Sequence, residues 1–463
     1  MRMSNGILVS TLGAALLGSV SGCTCDTTVE PGIDAARPPP RDANTDVFST
    51  DDAYVLEDGG SQSPDAPGVD APLDAPLFGF DSGPGSSLTC RHSHAFGEDF
   101  WYLAQDTDVS VPSFTSVAAR AGTFVGVYSS TERAVEGMAG PRRLEVFRYV
   151  AGVGGADPTV LAGGEGGSLP SVVSSNDGFW VAFSVGPEIR LARYRDDLSP
   201  IAPPVTIGSD ALTTPARVAT TTSGGYVVWV VGTTIRGRAI DTVGNPTGPA
   251  ETLATATGPV QQLSIQRVGS STELAVAWAE GGRPRVARLS GGTLGSAEFI
   301  SSAPGIFTSI DMAGESARTM MAEPLAGAAV YDFDSSGARN IAFRILSGSP
   351  AVPTFPAARA VSTVGETAWS GSVEAFLSGY AIAYRARITG IEGTVLRVGY
   401  LDRNGCRLGT VNDQFVLGLV NSETGAVPQM ATDEGTMLIV WSDERRGEYH
   451  DYFASVMTCM ERS

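Results

Sequence analysis

The chain has 463 residues, with 56 Gly, 28 Pro, only 17% charged residues and a formal net charge of -19. Without any long stretch of helical periodicity, that composition excludes a helical bundle and points to many short strands joined by turns. All 31 basic residues are Arg and acid predominates, so the clustered basic footprint that nucleic acid or an anionic membrane surface requires is not expected.

In chain order, residues 1–22 read as an export signal. Arg2 lies in a short n-region and an apolar h-region follows from Ile7 to Val20. The run is too short for a permanent membrane span. Its end, Val20-Ser21-Gly22-Cys23, resembles the lipobox of bacterial lipoproteins, where small residues precede a cysteine. The resemblance implies that Cys23 becomes the lipid-bearing N-terminus. At ~0.8 kcal/mol per buried CH₂, three acyl chains hold essentially permanently where one is marginal. Thr24 stands where an Asp would imply inner-membrane retention, so the outer membrane is implied.

Residues 23–87 form an acidic Ala/Pro/Asp-rich tether, expected to be disordered, with the repeated Asp65-Ala-Pro, Asp70-Ala-Pro and Asp74-Ala-Pro. From residue 24 to 87 there are 13 Asp/Glu against Arg37 and Arg41. A random coil of that length spans roughly 40–48 Å, and more once Pro and like charges extend it. Such tethers behind a lipobox resemble those of myxobacterial surface lipoproteins.

Residues 88–463 carry a repeat. Its anchor is a β-strand that opens near a Gly and ends on a large residue: Gly122 to Tyr128, Gly178 to Phe183, Gly225 to Trp229, Thr272 to Trp278, Ser316 to Ala322, Gly379 to Tyr384 and Gly435 to Trp441. The anchors are spaced by 55, 46, 49, 44, 62 and 57 residues. Such spacing is too uneven for a strict solenoid and suits propeller blades with variable loops. A short strand precedes each anchor, as in Pro215-Ala-Arg-Val-Ala, and a third strand and an outer strand follow, as in Ile235-Arg-Gly-Arg-Ala-Ile and Glu251-Thr-Leu-Ala. The expected fold is therefore all-β, a seven-bladed β-propeller of four-stranded antiparallel blades. Six units plus one aberrant unit is the alternative, because Ala322 is a weak anchor.

The last unit ends at Ser463 with no room for a fourth strand, whereas Asp99-Phe-Trp-Tyr-Leu-Ala104 is a spare strand ahead of the first unit. Ring closure removes an unpaired edge, so 99–104 is expected to supply the outer strand of blade seven. Closure brings Cys90 and Cys459 to one turn, and in an exported protein a disulfide between them is expected, with Cys406 as the competing partner and Cys25 left beside the lipid. The chain-entropy model credits so long a loop with somewhat more than ~4 kcal/mol.

The final hairpin, with Trp441, Asp443, Arg445, Gly447, Asp451 and Tyr452, resembles the W-x-D-x-R-x-G-x-x-x-D-x-Y repeat of secreted bacterial propellers. The residues themselves read as a structural turn: Asp443 can accept turn N–H groups, Arg445 can pair with it and Gly447 supplies positive φ. Asp332, Asp334, Ser336 and Asn340 have the oxygen spacing of a calcium loop but lack its terminal bidentate Glu, since residue 343 is Phe. They are the sole candidate metal ligands besides His92, His94 and His450, which lie near the closure seam. No cofactor other than calcium is indicated.

No G-x-S-x-G, H-E-x-x-H, C-x-x-C or phosphate loop occurs, and Ser174-Ser-Asn-Asp177-Gly178-Phe-Trp180 departs from the Asp box of sialidase propellers by its adjacent Asp and Gly. No catalytic residue is assigned. The expected function is an envelope-anchored binding or scaffolding module for a protein or glycan ligand. A polysaccharide-active enzyme is the alternative, and it would need a carboxylate pair or metal cluster at the channel mouth.

Overall fold

The computed structural model describes residues 88–92, 101–106 and, with short gaps, 114–461, all within the compact unit Pro76–Ser463. The tether and Cys23 lie outside the described residues. Seven antiparallel sheets follow one another along the chain, over residues 115–165, 167–209, 217–255, 260–299, 310–360, 366–420 and 429–461. Each inner strand lies beside the inner strands of its two neighbours, and the last lies beside the first. The chain is a closed seven-bladed β-propeller.

The alternation along each strand buries one set of side chains against the preceding blade and the other against the following one. Seven apolar layers result, one at every blade interface. One layer joins blades four and five through Ala277, Val286, Met312 and Tyr331. Another joins blades seven and one through Val440, Tyr452, Tyr128 and Phe124. Because both faces are covered, second strands such as Leu274–Glu280 are buried throughout.

The anchors are the centres of these layers. Tyr128, Phe183, Trp229, Trp278, Tyr384 and Trp441 are all at most 2% exposed. The fifth differs from expectation. The stretch 316–322 lies outside the described residues, and the second strand of blade five is Gly327–Ser335, with Tyr331, 1% exposed, as its anchor. With Tyr331 in place the two irregular spacings, 44 and 62, become 53 and 53. Blade five is a full four-stranded unit, and the six-plus-one alternative falls.

Glycine at the start of the second strand follows from the hairpin. Gly178 and Gly224 have φ of 142° and 141°, and a Cβ at either would collide with the carbonyl of Tyr194 or Ile240 on the third strand.

Closure takes the expected form, with an addition. Trp101–Asp106 pairs with His450–Glu461, setting Trp101 opposite Ala454 and Asp106 opposite His450. A second short strand, Leu88–His92, continues along the same edge, so this 12-residue strand is covered by two pieces of the N-terminal segment. Cys90 falls directly opposite Cys459 in that register. The Cys459 N–H donates to the Gly435 carbonyl at 2.6 Å, on the other side of the strand. Toward Leu88–His92, the Cys90/Cys459 pair is therefore of the non-hydrogen-bonded kind, in which side chains approach most closely. Cys406 lies outside the described residues.

Candidate functional site

The inner strands surround a central channel enclosing about 590 Å³, whose lining extends to Arg120, Asn176, Thr222 and Glu434 at their C-terminal ends. The ring has a repeating chemistry. At the residue paired with the one before each anchor, the seven blades carry Ser116, Ser171, Arg217, Ser264, Asp311, Ser372 and Gln429. The next residue along is Val, Ile or Met in every blade. One layer of the ring is thus wholly polar and the next wholly apolar, as a period-2 strand between two packed faces dictates.

Much of the polar chemistry stitches blades together. Ser116 Oγ accepts the Val172 N–H at 2.9 Å, and Asp311 Oδ2 accepts the equivalent N–H of Val373 at 3.2 Å. Ser264 Oγ donates to Asp311 Oδ1 at 3.0 Å. Thr220 donates to the Ser174 carbonyl and Thr432 to the Ala375 carbonyl, at 3.0 and 2.6 Å. Across the closing interface Asp433 accepts the Gly122 N–H at 2.5 Å. Arg120 is held by Asp196 at 2.6 Å and by the Asn176 carbonyl at 2.7 Å. The bonds to Val172, Val373, Ser174 and Ala375 satisfy main-chain groups of inner strands that no further strand covers.

Three charged groups remain deep in the channel. Arg217 uses only Nε, donating to the Leu263 carbonyl at 3.1 Å. Burial lowers its pKa, opposed by the Asp311 charge. Burial raises the Asp311 carboxyl, outweighing the Arg217 charge and the hydrogen bonds from Val373 and Ser264. Glu374 stands two strand positions further on and is raised well above the usual carboxylate range, first by burial and then by the Asp311 charge. Arg217 and Glu374 belong to blades three and six, three steps apart in a ring of seven, and so face each other across the channel. Gln266 of blade four lies in the same layer as Glu374, each being paired three residues before its anchor.

The residues singled out from sequence lie elsewhere. Trp441 is buried, stacked on Phe453 with centroids 5.8 Å apart, and Asp443 pairs in register with Asp451. Arg445 and Gly447 lie outside the described residues. The neighbouring Ser442 carbonyl accepts from the fully buried Arg385 of blade six at 2.6 Å.

Blades three and four illustrate what an acid beside such an anchor does. Asp210 accepts from Trp229 Nε1 at 2.8 Å and from Arg236 at 2.7 Å. Glu280, two residues past Trp278, accepts from Trp278 Nε1 at 2.8 Å and pairs with Arg285 at 3.2 Å. Burial alone would raise Glu280, but hydrogen bonds from Thr257 and Trp278 and the Arg285 charge hold it below its usual value. The arginine opposite the anchor recurs as Arg190, Arg236, Arg285 and Arg397, a third-strand signal visible in the sequence but not read from it.

Asp332 and Asp334 lie in the second strand of blade five and Asn340 in the third, opposite Phe333, while Ser336 is outside the described residues. Their spacing falls on a hairpin whose strands pair up to Ser335 and Ala338. His92 is opposite Met457 and His450 opposite Asp106, seven positions apart along one strand, or roughly 23 Å at 3.3 Å per residue. Among the described residues no group of three or more His, Cys, Asp or Glu is placed to hold a metal ion. Among the described residues, Trp441, Asn340, Asp451 and Tyr452 do not line the channel. Arg217, Asp311 and Glu374, which do, were legible only as polar interruptions in short Val/Ala strands.

No family model matches the chain, and no curated protein matches it. Among solved structures, it is similar to the Cps50 (Swd1) β-propeller domain of Myceliophteria thermophila, with 11% identity, 77% of this chain and 99% of that one covered and a TM-score of 0.46. It is also similar to the Dos1 propeller, with 8% identity, 77% and 95% covered and a TM-score of 0.42. A third likeness, to a prolyl endopeptidase, has 14% identity and a TM-score of 0.41; it covers 74% of this chain but only 46% of that one. At these values the likenesses carry no functional argument, and the propeller rests on its own strand order.

Proposed function

We propose that the chain is an exported lipoprotein, held in the outer membrane by lipid on Cys23 and carrying its propeller on the acidic tether as a binding module for a protein or glycan ligand. The observation that carries the binding reading is the channel itself. It is a cavity of about 590 Å³ whose walls keep charged groups, Arg217 and Glu374, beyond those used to stitch blades together. The anchor is tested by Cys23→Ala, which should abolish acylation and move the protein from the membrane to the soluble fraction; acylation unchanged in the variant ends that part. The binding reading is tested by probing glycan and peptide arrays with the full chain and with Glu374→Gln. A signal that the substitution weakens supports the channel, and one indifferent to it places the ligand elsewhere.

One observation favours a second reading, hydrolysis of a polysaccharide. Asp311 and Glu374 are carboxyls within electrostatic reach of each other, and burial raises both, Glu374 well above the usual carboxylate range, the direction that suits a general acid. Reducing ends released from a polysaccharide by the full chain, and lost in Glu374→Gln and Asp311→Asn, would support it. Release unaffected by both would sink it.

A disulfide between Cys90 and Cys459 belongs to the same exported reading, supported by their direct opposition in a non-hydrogen-bonded pair.

A further inference from the structure

The channel's polar groups fall into two sets. Ser116, Ser264, Asp311, Thr220, Thr432 and Asp433 spend their hydrogen bonds on neighbouring blades. What is left deep in the cavity is unevenly distributed around the ring. The guanidinium of Arg217, with its Nη atoms outside the Leu263 contact, stands on blade three. The Glu374 carboxyl stands on blade six, with Gln266 in the same layer on blade four. A cation and an acid thus face each other across open space.

They are also offset along the axis. Glu374 lies two strand positions beyond the ring layer that contains Arg217, about 6.6 Å at 3.3 Å per residue. The axial offset alone corresponds to about two extended residues at about 3.5 Å each. The walls disfavour other occupants. Among the described residues Phe376 is the one aromatic that lines the channel, and it is packed into the interface of blades six and seven, so these residues offer no ring face to a sugar or a quaternary ammonium. A guanidinium is suited to a carboxylate through paired N–H donors, and a carboxylate is suited to a primary ammonium with three N–H donors.

We propose that the channel binds a short linear peptide with both termini free, its carboxylate on Arg217 and its ammonium on Glu374. The inference rests on the reading of the channel as a ligand site and narrows its ligand to one class. It has a proton signature. An ammonium beside Glu374 favours the ionised carboxyl, so binding releases a proton and tightens as pH rises toward the raised value of that group.

The test is titration calorimetry on the full chain with trialanine, N-acetyl-trialanine, trialanine amide and maltotriose. Trialanine should bind, and blocking either terminus should weaken binding at least tenfold. The heat should vary with buffer ionisation enthalpy in the sense of proton release, and Glu374→Gln should lose both the affinity and that variation. Arg217→Lys should retain part of the affinity. The capped peptides test the proposal independently of whether any variant folds. Equal binding of capped and free peptide would overturn it. Binding of maltotriose but not trialanine, weakened by Glu374→Gln, would also overturn it while leaving the channel a ligand site. Binding of neither, together with array signals indifferent to Glu374→Gln, would remove the channel reading as well.

Discussion

At the interface of blades six and seven, Arg385 is fully buried and donates to the Ser442 carbonyl beside Trp441. In the channel, Arg217 bonds its neighbours through Nε alone and faces Glu374 across a cavity. Both are arginines on strands near an anchor. The first is walled in by two packed blades and belongs to the core; the second sits on a strand whose free edge is the channel. The difference is one of position in the blade: second strands are covered on both faces and both edges, while inner strands keep one edge open. Trp441 and Tyr452, which help make the seventh blade conspicuous in sequence, therefore serve packing, and less conspicuous residues on inner strands are available to a ligand.

The largest expected effect tests the packed region. Removing residues 88–106 uncovers the outer edge of His450–Glu461, and hydrogen exchange should show that strand losing protection well before the second strand of blade four, Leu274–Glu280. Simultaneous loss in both would break the closure account. Trp441→Ala and Tyr331→Ala should each cost roughly 3–5 kcal/mol in denaturant unfolding, since both anchors are 1% exposed. A much smaller cost for Tyr331 would return blade five to the status of an aberrant unit.

Next comes the proposed disulfide. A non-reduced digest should link the peptides of Cys90 and Cys459, and Cys90→Ser should cost roughly 2–5 kcal/mol; a link to Cys406 instead would move the clasp to another blade. Arg385→Met should destabilise by roughly 1.5–3 kcal/mol, because it strips a charged donor from a buried carbonyl. Arg217→Met should cost clearly less, as most of its guanidinium makes no contact that folding depends on. Equal costs would erase the distinction between the two arginines.

The smallest effect is a change of slope. Glu374 is raised in the folded protein, so the folded state binds more protons than the unfolded one between pH 4.5 and that raised value. Its contribution is fully present below 4.5 and is lost as pH rises through the folded value. Stability should therefore fall with rising pH across that window, and Glu374→Gln should flatten the fall. A steeper fall in the variant would mean that Glu374 is stabilised as the anion.

Much of this architecture was legible along the chain. Gly178 to Phe183 and Gly379 to Tyr384 show a turn glycine, an apolar run and a closing aromatic, and each of these is a local requirement of a hairpin packed on both sides. Gly327 to Tyr331 satisfies the same rule and restores even spacing, yet the methionine-rich stretch before it drew the assignment away. Trp101 to Leu103 was legible as the closing strand because a ring with a missing edge needs one. Leu88–His92 was not, since its five residues carry no alternation that distinguishes them from linker.

The sequence by itself determined the propeller architecture, the expected order of strands within blades and the place of closure, because hairpins are specified by neighbours a few residues apart, whereas the seventh full blade was decided by the structure of Gly327–Ser335. Only the tertiary structure decided which polar residues stitch blades and which face the channel. Arg217 and Glu374 are 157 positions apart in sequence. Nothing local distinguishes them from Arg236 or Glu366, and they oppose each other because a ring of seven sets blades three and six on facing walls.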